Sequence, residues 1–109
     1  IQEVAEIVAA RLAPPAFAVA YAGDEFVVVL PESDQEAALA TARGIGAAIA
    51  AHTFLADLEP PARLTASLGV ATWPRDATRM EDLLAAADRA LFQAKETGRN
   101  VVSAAGRPA

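Results

Sequence analysis

At 109 residues the chain has room for one domain, near the lower end of what builds a sizeable core. It is 54% hydrophobic, much of that alanine, and it has no cysteine, which excludes a disulfide framework and a thiolate metal site. No stretch is long and apolar enough to span a membrane, no secretory signal is visible, and a net charge of −5 argues weakly against nucleic acid, whose binding needs clustered Lys and Arg.

The apolar spacing of Val4, Ile7, Val8 and Leu12 predicts a first helix over 2–12, ended by Pro14-Pro15. Two strand-like runs follow, Phe17 to Tyr21 and Phe26 to Leu30, rich in residues that fit a pleated surface. Ser33 with Glu36 reads as a capping box opening a second helix that runs to about Ala51, its inward face being Leu39, Ala42, Ile45 and Ile49. Gly44 and Gly46 weaken that helix by about 1 kcal/mol each relative to alanine. Pro60-Pro61 breaks the next loop, and Leu64 to Ala71 reads as a third strand. A second box, Thr78 with Glu81, opens the last helix, with Met80, Leu83, Leu84, Ala87, Leu91 and Ala94 inward and Gly98 as its C-cap. A short strand and an Ala/Gly/Pro tail over 104–109, expected to be flexible, close the chain. This order implies an α+β fold, an antiparallel sheet covered by helices.

Between the first two strands stand Tyr21-Ala22-Gly23-Asp24-Glu25-Phe26, a small-residue turn carrying two adjacent carboxylates. Gly23 lets the backbone turn tightly and lets a ligand approach the main chain. Two carboxylates at a hairpin tip suit a hard cation such as magnesium, which prefers oxygen ligands. On this stretch alone an ordinary hairpin turn is the commoner explanation, since Gly-Asp is frequent turn chemistry.

The stretch resembles the hairpin that names the GGDEF family, the diguanylate cyclases of bacterial signalling, with Ala22 in place of the first glycine. Thr65 to Ala71, followed by Trp73-Pro74, is similar to the family's next core strand. Ala87 to Asn100 is similar to its closing helix, which typically reads AD-x-ALY-x-AK-x-x-GRN. Three matches in order and at sensible spacing cover essentially the whole chain.

The resemblance implies a ferredoxin-like, nucleotidyl-cyclase palm. It also implies a further strand and helix upstream, carrying a metal-binding Asp and guanine-reading residues, which nothing before Ile1 supplies; the 109 residues then form a partial domain. The implied activity joins two GTP molecules into cyclic di-GMP with release of two pyrophosphates, on a homodimer, in the cytoplasm, under a fused sensor or receiver domain. Asp24 would be a ligand of magnesium or manganese. Glu25 would bind the second metal or assist deprotonation of the attacking hydroxyl. Ala22 and Gly23 would offer backbone to the phosphates, and Lys95 and Arg99 would contact them. Taken alone, a lysine and an arginine at a helix C-terminus are commonly solvated partners of the macrodipole; four residues apart, they would share a face if the helix continued. Where many members carry an inhibitory Arg-x-x-Asp product site, this chain has Ala13 and Ala16, and Ala20 stands at another position that is often arginine. Alanine cannot form those contacts, so no product feedback through that site is expected. His52 reads as a surface residue, Trp73 as packing, and Asp88 as a local structural group. The alternative function is a non-catalytic module of the same fold, serving nucleotide sensing or dimerisation.

Overall fold

The computed structural model describes residues 2–22, 25–54 and 62–106. Helix α1 spans Gln2–Ala10, two residues short of the expected end. Arg11 N–H donates to the Val8 carbonyl and Leu12 N–H to that of Ala9, so the last turn tightens into i→i+3 bonds before the prolines. Strands β1 (Phe17–Ala22) and β2 (Glu25–Val29) form an antiparallel hairpin.

Helix α2 runs Gln35–Ala51. Its cap is Asp34, not Ser33: the carboxylate Oδ1 accepts from Ala37 N–H at 2.8 Å. A charged acceptor at a helix N-terminus gains from the macrodipole as well as the hydrogen bond, which a serine hydroxyl does not match. The expected inward face of Leu39, Ala42, Ile45 and Ile49 is buried, joined by Ala38.

Two short strands absent from the sequence reading follow, β3 (Thr53–Phe54) and β4 (Ala62–Arg63), paired antiparallel. The strand expected over 64–71 is only β5, Leu68–Val70. Helix α3 spans Met80–Glu96 and β6 spans Val102–Ala104. The α+β class stands and antiparallel pairing accounts for two of the three described ladders; β5 and β6 run parallel. A parallel pair needs a crossover longer than a hairpin, and α3 supplies it.

One core gathers Val8, Ile45 and Ile49, with Val4, Ile7, Leu12, Ala18, Val28 and Leu68 packed around them. The β1–β2 hairpin and the β5–β6 ladder therefore rest on the same α1/α2 surface. Fully burying one such aliphatic side chain is worth about 1.5–3 kcal/mol. Leu68 turns to that core while the next residue, Gly69, faces α3, as strand alternation requires. A methyl group at Gly69 would collide with the Ala87 carbonyl and the Leu91 backbone, so helix and strand meet main chain to main chain.

That close approach corrects the expected inner face of α3 in part, for Ala94 is buried as expected. Ala86, Ala90 and Ala94 are its buried residues; Leu83, Leu84, Ala87 and Leu91 flank them half-buried, and Met80 is 66% exposed. The Thr78–Glu81 box does not form either. Arg79 is the N-cap residue without a side-chain cap bond, and its guanidinium takes the Glu81 carboxylate that the box would have used. Trp73, expected to pack, is 62% exposed. Asp76 accepts from Thr72 N–H at 2.7 Å and pairs with Arg75, closing a turn that leaves Trp73 outside. His52 is half-buried and meets Glu3 at 3.1 Å, linking the two helices of the first face. The expected tail is not free at its start: Ala104 belongs to β6, Ala104 and Ala105 are buried, and Ala105 N–H donates to the Val70 carbonyl at 2.7 Å.

Candidate functional site

The hairpin positions the acidic pair by its register. Phe17 pairs with Val29, Ala18 with Val28, Val19 with Val27 and Ala20 with Phe26; then Ala22 pairs with Glu25. The shift leaves Tyr21 unmatched, a bulge of the kind that raises local twist next to functional sites. Ala22 and Glu25 are thus facing residues, joined by a connection of two residues, Gly23 and Asp24. Gly23 and Asp24 lie outside the described residues, and of Ala22 and Glu25 the backbone alone is described. The two acids stand next to each other in sequence, Asp24 in the two-residue connection and Glu25 at the start of β2.

The basic pair sits at the end of α3. Lys95 is exposed in the last helical turn. The helix stops at Glu96, so Arg99 is not one turn further along the same face, as helical continuation would have placed it. Thr97 caps the end: its N–H donates to the Gln93 carbonyl at 3.0 Å and its hydroxyl to the carbonyls of Gln93 and Ala94. Gly98 then takes φ 121, which suits a residue without Cβ, and the chain turns. Arg99 and Asn100 follow with φ 64 and 52. Arg99 is exposed, and among the described residues no ion pair uses Lys95 or Arg99. Two unpaired cations at one helix end can hold a multiply charged anion.

Two contributors were invisible to sequence reasoning. Ser67 Oγ accepts from Asn100 N–H at 3.1 Å across 33 positions of sequence. A groove of about 430 Å³ lies beside that contact, lined by Arg43, Gly46, Ala50, Leu68, Asn100 and Val102 among others. The one available signal was Gly-Arg-Asn, since Asn after a helix-ending glycine favours left-handed backbone.

The other expected positions are plain. Ala13 and Ala16 close the proline turn through Ala16 N–H to the Ala13 carbonyl at 3.0 Å. Asp88 is exposed. Among the described residues no group of three His, Cys, Asp or Glu could hold a metal ion. The expected donors to a hard divalent cation, Asp24 and the Glu25 carboxylate, lie outside what the structure describes.

A sequence model of the family described as "Diguanylate cyclase, GGDEF domain" matches residues 1–101. Diguanylate cyclase A of Treponema denticola is 30% identical over 103 residues, spanning 94% of this chain and 28% of that protein. The response regulator PleD of Caulobacter vibrioides is 35% identical over 83 residues, spanning 75% of this chain and 18% of that protein. The chain thus spans less than a third of the curated relatives it matches. The crystal structure of the GGDEF domain of DgcB from Caulobacter crescentus, in complex with c-di-GMP, superposes with a TM-score of 0.85 at 27% identity, over 98% of this chain and 63% of that one. The chain belongs to the GGDEF domain family of diguanylate cyclases.

Proposed function

We propose that this chain is the greater part of a catalytic domain that condenses two GTP molecules into cyclic di-GMP. In each half-reaction a 3′-hydroxyl attacks the α-phosphate of the opposite nucleotide; a new P–O bond forms and the bond to pyrophosphate breaks. The observation that carries this reading is a basic helix end with no carboxylate partner among the described residues, in a chain whose hairpin tip bears two acids. Asp24 and Glu25 stand at a two-residue connection, while Lys95 and Arg99 are exposed cations that no carboxylate among the described residues neutralises.

Asp24 and Glu25 would hold a divalent cation, magnesium or manganese. Bound there, such an ion supplies neutralisation of charge that develops on the phosphates. The residues' own work is distinct. Glu25 receives, directly or through water, the proton of the attacking hydroxyl. Ala22 and Gly23 carry no bulky side chain, so their backbone can lie against the phosphates. Lys95 and Arg99 bind the triphosphate and orient it for in-line displacement. Because the two reacting nucleotides must face each other, the working form is a two-fold dimer. The parent protein acts in the cytoplasm with a fused sensor or receiver domain, in keeping with relatives much longer than this chain, one of them a response regulator.

The test is the full-length protein with GTP and magnesium, product being followed by chromatography. Cyclic di-GMP should form, and Asp24→Ala should abolish it. GTP binding without product in either form would favour the sensing or dimerisation module instead.

A further inference from the structure

Three successive residues, Gly98, Arg99 and Asn100, have φ values of 121, 64 and 52. Left-handed backbone is natural for the glycine and tolerated by asparagine, but it is costly for arginine, whose Cβ crowds its own main chain. Such a conformation persists where the surroundings over-determine it, and such places concentrate at ligand clamps. Three tethers do so here. Arg99 N–H donates to the Ala94 carbonyl at 3.1 Å, and Gly98 N–H reaches the Lys95 carbonyl at 3.5 Å, both within the helix end. The third comes from elsewhere: Asn100 N–H donates to Ser67 Oγ at 3.1 Å. Among the described residues, this hydroxyl is the one group outside α3 and its turn that bonds residues 98–100.

Ser67 immediately precedes β5, and the next ladder bond follows at once, Leu68 N–H to the Val101 carbonyl at 3.0 Å. The serine side chain thus extends the parallel ladder back by one step, at a point where the turn has rotated the Asn100 N–H toward it. The strand is held in turn by Gly69 against α3 and by Leu68 in the core, so the acceptor is fixed from both sides. A hydroxyl on a fixed strand can hold a backbone amide where a solvated side chain could not.

We infer that Ser67 is a positioning residue for the nucleotide's phosphates, acting through the backbone of Asn100 to keep Arg99 in its left-handed conformation. This rests on the proposed reading that Arg99 contacts phosphate. Without the Ser67 acceptor, residues 99 and 100 relax toward ordinary backbone angles and Arg99 is no longer held in the place that the turn gives it.

The test is a double-mutant cycle on the full-length protein, read as the Kd of a non-hydrolysable GTP analogue with magnesium and as hydrogen exchange of the Asn100 amide. Ser67→Ala should weaken binding roughly 3–10-fold, the span of one lost hydrogen bond, and should speed exchange at Asn100. Ser67→Thr keeps the acceptor and should restore both. In an Arg99→Ala background, Ser67→Ala should weaken binding no further, because its effect passes through Arg99. Should Ser67→Ala unfold below the assay temperature, Ser67→Cys, a weaker acceptor, replaces it, and an intermediate loss of binding is expected. Equal weakening in both backgrounds, or unchanged binding with Ser67→Ala, overturns the positioning role while leaving the phosphate reading intact. Unchanged binding with Arg99→Ala alone overturns the phosphate reading, and the role of Ser67 falls with it.

Discussion

The two faces of the β5–β6 ladder are packed by opposite means. On the α1/α2 side, branched aliphatic side chains interdigitate: Val8, Ile45 and Ile49, with Ile7, Leu12 and Leu68 around them. On the α3 side, alanines 86, 90 and 94 let the helix backbone down onto Gly69, and the hydroxyl of Ser103, 1% exposed, donates to Gln93 Oε1 at 3.2 Å. The first face is rich in burial free energy and can absorb small changes by rotamer shifts. The second buries less apolar area but leaves no slack, because main-chain atoms cannot rotate out of the way. The helix seated without slack is the one whose far end carries Lys95 and the Arg99 turn. Stability is concentrated on one face and positional accuracy on the other.

That contrast can be broken from either side. The largest effect is expected from removing volume on the aliphatic face. Ile45→Ala should cost roughly 2–5 kcal/mol in urea unfolding, transfer and cavity terms together. Its nucleotide affinity, measured well below the unfolding transition, should stay near wild type. Adding volume on the other face should act the opposite way. Gly69→Ala should cost about 1–3 kcal/mol, since the new methyl meets backbone, and it should also weaken GTP binding by displacing α3. A loss under about 0.5 kcal/mol would mean that α3 has room after all, against the overpacking range usual for a filled site. The helix starts give the smallest and sharpest comparison. Asp34→Ala removes a real cap and should cost about 1 kcal/mol, whereas Arg79→Asp installs one at α3 and should gain up to about 1 kcal/mol in thermal or urea unfolding.

Side-chain periodicity carried much of this in the sequence. The face Leu39, Ala42, Ile45, Ile49 was readable because every member is apolar and spaced for a helix, and it is buried as expected. The same rule was only partly right on α3: it placed Ala94 correctly but included Met80 and left out Ala86 and Ala90. Hydrophobicity reports how much a residue gains from burial and not how close two backbones can come; Gly69 set that distance, and its consequence lies 17 or more residues away in sequence. Both capping boxes were misplaced by a neighbouring charged side chain: Asp34 caps α2 one residue later through Ala37 N–H, and Arg79 takes the Glu81 carboxylate. At the site, the acidic and basic residues were legible as a motif, while Ser67 was not. A hydrogen bond spanning 33 positions leaves no local pattern to read.

The crossover helix has a mechanical consequence. Its 17 residues form a rod about 25 Å long at 1.5 Å per residue. One end begins at the exposed Met80, close in sequence to the Trp73 turn that Arg75 ties to the Ala105 carbonyl. The other end carries the basic pair. A rod clamped against a strand through its backbone cannot soak up a push by local repacking. A load applied near Met80 must reach the Arg99 turn as a slide or a tilt of the whole element.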